Sequence, residues 1–411
     1  MIWWILRYLL VALSSSIITL LLFNQDIGVV LFWFLAIPVL PLLLVFSPGI
    51  WRNICPIAVF NQVPRMMGVS FGLQLPDGIR KHTYLISLVV LFALILLRQP
   101  LLNHSAPALA VMLLATFTAA FVGGLIFEGK SGWCGTFCPM AVLERTYGMA
   151  PIVVVKNNYC SPCLNCQKNC YDQNTTSTIF KDLDDPDERF KGHRKLFIGI
   201  LPGLILWYFT GASAVSADPI ATVLTFCHVA LISYGFYHLL CYLLPRHTFH
   251  VSLIFATSAI GIFYWFGAPA VYDRLTSSLG LPLPGYIVPA LQGVAMLAAF
   301  ASLVRGLMTA RGLKDETTGK DVSTGAEFSI TKELPLLDSI IAADVPIRYQ
   351  CRMGACGSDP VVIVEGEDNI EPPSAEELET LRLMGLDGKA RLACMCRVKG
   401  PVTIDTQLAR A

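Results

Sequence analysis

Eight apolar runs, each long enough to cross the hydrocarbon layer of a bilayer or nearly so, constrain this chain more than any other feature. They lie at Ile2 to Phe23, Ile27 to Phe46, Tyr84 to Leu97, Ala108 to Phe127, Leu196 to Val215, Ile220 to Leu244, Val251 to Phe266 and Ile287 to Leu307. The third is short, but Lys81 and Arg98 at its ends can snorkel to the two interfaces and extend it. The expected fold is therefore an α-helical polytopic membrane protein with about eight transmembrane helices. The first run is longer than the apolar core of a signal peptide and lacks a small-residue cleavage pattern, so it reads as a retained helix.

Charge fixes the expected orientation. With the N-terminus inside, only Arg98 and Arg274 fall on the outer side, whereas the basic residues from Arg52 to Lys81, from Lys130 to Lys195 and at Arg246 fall inside. This predicts a bacterial cytoplasmic (inner) membrane protein with both termini, and every tight cysteine cluster, on the cytoplasmic side. A net charge of +1 gives no general affinity for nucleic acid.

From Ala310 the composition turns soluble. Residues 310–325 read as a linker, polar from Lys314 to Gly325, and 326–411 as a second domain after a membrane domain at 1–309. Glu327 to Thr331 has a strand pattern, Leu336 to Asp344 that of a short helix, Pro360 to Glu365 of a strand, Ala375 to Leu383 of a helix, and Pro401 to Asp405 of a closing strand. A faint internal repeat aligns Ile50 to Val59 with Trp133 to Val142, Trp51 standing where the second copy has Cys134.

Ten of the thirteen cysteines sit in tight spacings that suit metal coordination, and an odd total cannot pair completely as disulfides. Cys351 and Cys356, with the distant Cys394, give a tight ligand loop plus one remote ligand. Gly354 and Gly357 free backbone N–H groups to approach the sulfides of a two-iron cluster. Cys160, Cys163, Cys166 and Cys170 have the C-x2-C-x2-C-x3-C spacing of a [4Fe-4S] motif, within a loop at about 128–195. Zinc is the weaker alternative. Cys134 and Cys138 repeat the C-x3-C-P tail of that motif, and Cys55 its last element, so a second or shared [4Fe-4S] cluster is expected there. Two cubanes want eight thiolates and these positions supply seven, leaving the count at one or two clusters.

Over about eighty residues the C-terminal part resembles the plant- and adrenodoxin-type [2Fe-2S] ferredoxins, on Leu336 to Pro346, the Cys351–Cys356 loop and Arg391-Leu-Ala-Cys394. The resemblance implies an α+β ferredoxin-like (β-grasp) domain whose first hairpin is short or degenerate here. It also implies that Asp359 stands where the usual pattern has a third cysteine, as in the iron-sulfur subunit of bacterial succinate dehydrogenase. Asp359 is the favoured fourth ligand and Cys396 the alternative; an aspartate oxygen is harder than a thiolate and would alter the reduction potential. Paired helices followed by Cys-Pro loops and a [4Fe-4S] motif, over roughly Ile27 to Phe249, look like the membrane polyferredoxins of nitrate and nitrous-oxide respiration and the related cytochrome oxidase assembly ferredoxins. Trp51 in place of one cysteine, and a single full motif, depart from them.

These readings converge on a membrane-bound iron-sulfur protein relaying single electrons between a cytoplasmic redox protein or reductase and a membrane donor or acceptor, a quinone or a membrane enzyme subunit. The alternatives are an assembly factor for a membrane metalloenzyme such as a cytochrome oxidase, or a redox sensor. No Gly-rich nucleotide loop and no nucleophile–base arrangement appears, so flavin or nicotinamide chemistry belongs to a partner. Cys227, His228, His238 and Cys241 share the sixth helix. Hydrogen bonds to neighbouring helices are preferred to a quinone contact there, and a quinone contact to haem, which is not expected even between His238 and His82. Trp3, Trp4, Tyr8, Trp33 and Trp265 fit interfacial belts, and His193, Arg194 and Lys195 a positive-inside anchor.

Overall fold

Among the described residues, six helices are long and apolar enough to cross a membrane: α1 (Ile2–Phe23), α2 (Gln25–Phe46), α6 (Ala106–Ile126), α9 (Pro219–Leu243), α10 (Thr248–Leu279) and α11 (Ile287–Gly312). Shorter helices lie between them, namely α3 (Pro48–Ile54), α4 (Pro56–Met66), α5 (Thr83–Leu97), α7 (Pro139–Tyr147) and α8 (Lys191–Thr210). Two of the eight expected spans are thus present as helices but fall outside the six. α5 has 15 residues before it continues into a π-helical turn at Arg98–Leu102, and the basic start of α8 dilutes its apolar run. α10 runs well past the expected Val251 to Phe266.

The computed structural model describes residues 2–73, 75–80, 82–127, 132–134, 136–155, 179, 183, 191–211, 219–280, 283–312, 315–332, 334–349, 354, 357–386, 388 and 390–409. Cys160, Cys163, Cys166, Cys170, Cys351 and Cys356 lie outside them. The chain divides into two units, Met1–Asn158 with Asp182–Gly306, and Tyr159–Lys181 with Leu307–Ala411.

In the helical unit, α8, α9 and α10 pack on one another. Phe197, Leu201, Trp207, Phe226, Ile260 and Tyr264 are buried in the shared core. Polar groups inside such a bundle must be satisfied by protein, because lipid offers no partner. The Tyr264 hydroxyl meets this need by donating to the Pro38 carbonyl and accepting from the Leu42 N–H at 3.2 Å, bridging an i, i+4 pair of α2. Near the start of α1, buried Arg7 donates from Nε to the Asn53 carbonyl at 2.7 Å and tethers the end of α3.

In the second unit five strands order as β2-β1-β5-β3-β4, with β1 at Glu316–Asp321, β2 at Glu327–Thr331, β3 at Pro360–Glu365, β4 at Ala390–Leu392 and β5 at Val402–Asp405. β1 runs parallel to β5 and every other pairing is antiparallel, the mixed sheet expected of a ferredoxin-like domain. Helices α12 (Leu336–Ala342) and α13 (Ala375–Leu383) belong to the same domain. Phe328, Ile330, Leu337, Val361, Ile363 and Ile404 form its core with α12. Each such side chain contributes about 1.5–3 kcal/mol on full burial. The stretch from Lys314 to Gly325, expected as a linker, instead supplies β1 and with β2 forms a complete first hairpin. Its polar sequence hides the strand, because only Gly319 and Asp321 face inward.

Candidate metal centres

The register of the β3–β4 pair brings the first centre together. Pro360 pairs with Leu392, so the residue before β3 lies opposite the residue after β4. Asp359 accepts the Ala393 N–H on its backbone oxygen at 3.0 Å and the Cys394 N–H on Oδ2 at 2.5 Å, and the Cys394 Sγ lies 3.3 Å from Oδ1. Asp359 is 2% exposed; burial pushes its carboxyl above the ordinary range, and the hydrogen bonds from Cys394 oppose that rise.

Cys396 takes a different place. It is 0% exposed among the core residues of the domain, where burial pushes its thiol up to about 12 against the opposing pull of Arg391. Its backbone anchors α12, since the Cys396 carbonyl accepts the Leu336 N–H at 2.8 Å and the Ala393 carbonyl accepts that of Leu337 at 3.0 Å. The structure therefore sets Asp359, and not Cys396, against Cys394. Cys351 and Cys356 lie outside the described residues, but Gly354 and Gly357 between and beside them are described. Both have positive φ, +74° and +65°. A Cβ on Gly354 would meet Met395 Cγ at 2.8 Å, and one on Gly357 would meet Met384 Sδ at 2.1 Å. Positive φ and a methionine at van der Waals distance or closer call for glycine at both positions.

A buried ion pair that the sequence reading missed fixes the strand leading to Cys394. Arg391 Nε donates to Glu377 Oε1 at 2.8 Å and Nη2 to Oε2 at 3.1 Å, while the Leu392 N–H donates to the same Oε1 at 2.9 Å. Glu377 thereby clamps α13 to β4 two residues before Cys394. Ser374-x-x-Glu377 has the pattern of a capping box. The Ser374 Oγ does cap the Glu377 N–H, at 3.2 Å, but the glutamate reaches across to Arg391 instead of back to its own helix.

In the helical unit the two Cys-Pro copies share one local design. Cys55 and Cys138 are N-caps of α4 and α7, with Pro56 and Pro139 at the first helical position, where a missing N–H costs nothing. Burial pushes the Cys55 thiol up to about 12, and nearby Cys138 adds to the rise. Cys138 is pushed up to about 12 by burial and then by Cys134. In each case the N–H groups of the first helical turn pull the other way without closing a full capping hydrogen bond, and Glu144 adds to the rise. Thiols so placed stay protonated unless a metal takes the proton's place, since a coordinating thiol is deprotonated outright. Glu144 forms an ion pair with Arg52, so the carboxylate of the second copy is tied to a cation of the first.

Among the described residues no three His, Cys, Asp or Glu side chains converge on a single metal-ion position. Cys138 lies within electrostatic reach of both Cys55 and Cys134. In α9, Cys227, His228 and His238 are exposed on the surface of the bundle, and the His238 ring lies 6.1 Å from that of Tyr234. His82 approaches the Gly78 carbonyl through Nδ1 at 2.7 Å.

Residues 320–399 match the family described as a 2Fe-2S iron-sulfur cluster binding domain. Two crystal structures of Pectocin M2 also match, at 29% and 28% identity, each over 23% of this chain and 34% of theirs, with TM-scores of 0.19. The chain spans about a third of the length of Pectocin M2. The family match at residues 320–399 makes the C-terminal domain a [2Fe-2S] ferredoxin domain, which supports iron-sulfur electron transfer.

Proposed function

We propose that the protein is a membrane-bound electron carrier that relays single electrons between a cytoplasmic redox protein or reductase and a donor or acceptor in the membrane, a quinone or a membrane enzyme subunit. One observation carries this reading: a [2Fe-2S] binding domain shares one chain with helices of membrane-crossing length and apolarity, six among the described residues. Iron-sulfur clusters supply one-electron chemistry and require no acid–base catalyst.

In this reading Cys351, Cys356, Asp359 and Cys394 hold the [2Fe-2S] cluster. The contact of Asp359 with Cys394, and the enclosure of Cys396 in the core, support that ligand set. Met395 and Met384 pack at Gly354 and Gly357, and the Glu377–Arg391 clamp fixes the strand that leads to Cys394. Cys160, Cys163, Cys166 and Cys170 hold a [4Fe-4S] cluster, and Cys55, Cys134 and Cys138 a second or shared one. The clusters and both termini lie on the cytoplasmic side of a bacterial inner membrane, as the basic residues of the loops favour.

Anaerobic purification with iron and sulfide counting and stepwise-reduction EPR tests this, with Cys160→Ser and Cys351→Ser beside the wild type. Each variant should lose one distinct signal; a colourless, iron-free wild type, or a variant with an unchanged spectrum, removes the corresponding centre. Asp359→Cys should keep a [2Fe-2S] signal at a shifted potential, and an unshifted potential would remove Asp359 as a ligand.

A further inference from the structure

Trp133 opens the second Cys-Pro copy, and its indole is placed in an unusual way. Its Nε1 is buried and has no hydrogen-bond partner among the described residues. A buried N–H left without an acceptor carries a desolvation penalty that native structures seldom tolerate, so an acceptor outside the described residues is the natural account.

The backbone of the residue is held from both sides. Its carbonyl accepts the N–H groups of Thr136, Phe137 and Cys138, at 3.1, 2.9 and 3.1 Å, so Trp133 is the fixed start of the turn that ends at Cys138. On its other side Gly132 packs backbone to backbone against Gly123 of α6, where a Cβ would lie 2.0 Å from the Gly123 carbonyl oxygen. The first Cys-Pro copy makes an internal comparison. There Ile50 stands in place of Trp133 and Trp51 in place of Cys134, so an indole immediately before the first cysteine position occurs in the copy that has two thiols and not in the other.

We propose that the Trp133 Nε1–H donates a hydrogen bond to a sulfur, thiolate or inorganic sulfide, of the iron-sulfur centre held by Cys134 and Cys138. The inference rests on the reading of those cysteines as cluster ligands. Trp133 is then a positioning residue that tunes the centre without ligating iron. A donor aimed at sulfur withdraws electron density and stabilises the more negative, reduced form, which raises the potential.

The test uses the full-length protein purified anaerobically. The signal of this centre is first identified as the one lost in Cys138→Ser. Trp133→Phe, which keeps an aromatic ring and removes the donor, should retain the iron and the signal. Its reduced-to-oxidised ratio, poised at the wild-type midpoint, should fall about tenfold, a shift of about 59 mV for a one-electron couple. A variant with wild-type iron, the signal present and an unmoved midpoint overturns the inference. A wild type in which Cys138→Ser removes no signal overturns the ligand reading beneath it, which is a different outcome. Should Trp133→Phe lose its iron, protein labelled with 15N at the indole nitrogens decides the matter. Pulsed EPR of the reduced centre should detect a coupled 15N nucleus in the wild type and equally in Trp51→Phe, and the absence of that coupling would overturn the proposal.

Discussion

Replacing Glu377 with alanine should unfasten the ferredoxin domain at the strand that carries Cys394. The glutamate is 1% exposed and accepts three hydrogen bonds at 2.8, 3.1 and 2.9 Å, two from Arg391 and one from the Leu392 N–H. Removing one partner of a buried ion pair costs about 3–5 kcal/mol, because the other charge is left uncompensated. Arg391 keeps one bond, from Nη1 to the Glu371 carbonyl at 2.9 Å, which points to the lower end, about 3 kcal/mol. That is a large share of the roughly 5–15 kcal/mol that holds a domain together. With a urea slope of about 1–3 kcal/mol per molar, the midpoint should fall by about 1–3 M. The assay follows the [2Fe-2S] EPR signal of the full-length protein in detergent during a urea titration. All seven tryptophans precede the domain, so their fluorescence reports the helical unit alone and should not change. Glu377→Gln keeps an acceptor for Leu392 and should fall between wild type and Glu377→Ala. Coincident midpoints for Glu377→Ala and wild type would refute the clamp.

Other consequences follow from single side chains. Burial pushes Asp321 up, but hydrogen bonds from Thr324, Ser323 and Thr406 outweigh it and hold the carboxyl below the ordinary range. A depressed folded value stabilises above the unfolded pKa of about 3.9 and loses that contribution as pH falls through the folded one. Asp321→Asn should therefore destabilise the domain by about 1.5–3 kcal/mol at neutral pH, with a gap that closes on acidification below about pH 4, and a gap that widened there would reverse the sign. Tyr264→Phe should lower the thermal midpoint of the helical unit in detergent, at a cost of about 1 kcal/mol, by removing the bridge from Pro38 to Leu42. An equal midpoint would mean that α2 closes that pair by itself.

The parts legible in the sequence are those whose signal is local. Apolar runs of about twenty residues announce their helices, and β3 and α13 fall at the residues their patterns indicate, Pro360–Glu365 and Ala375–Leu383. β1 was not legible because its strand character comes from its neighbours. Its inward positions are Gly319 and Asp321; the Phe328 ring and Ile330 fill the space a side chain at 319 would need, and Asp321 closes a turn through Ser323 and Thr324. Strand propensity is a weak guide where pairing decides the outcome. The site divides in the same way. Tight cysteine spacings are visible in a linear sequence. The approach of Asp359 to Cys394, across 35 residues, depends on the β3–β4 register, and only a likeness to ferredoxins pointed to it.

The two Cys-Pro copies show what their sequence asymmetry accomplishes in three dimensions. Each copy turns a cysteine into an N-cap followed by proline, so a helix start with positive character faces each thiol. Arg52 of the first copy stands at the position of Gly135 in the second, and Glu144 of the second at that of Asn61 in the first. The ion pair of Arg52 and Glu144 therefore crosses from one copy to the other, while Asn61 turns away to donate to the Ala120 carbonyl of α6 at 3.0 Å. At side-chain exposures of 12% and 11%, breaking this pair would leave a nearly buried charge beside the thiols. The copy that carries Trp51 where the other has Cys134 is thus tied by this ion pair to the copy with two thiols, in which Trp133 stands immediately before the first of them.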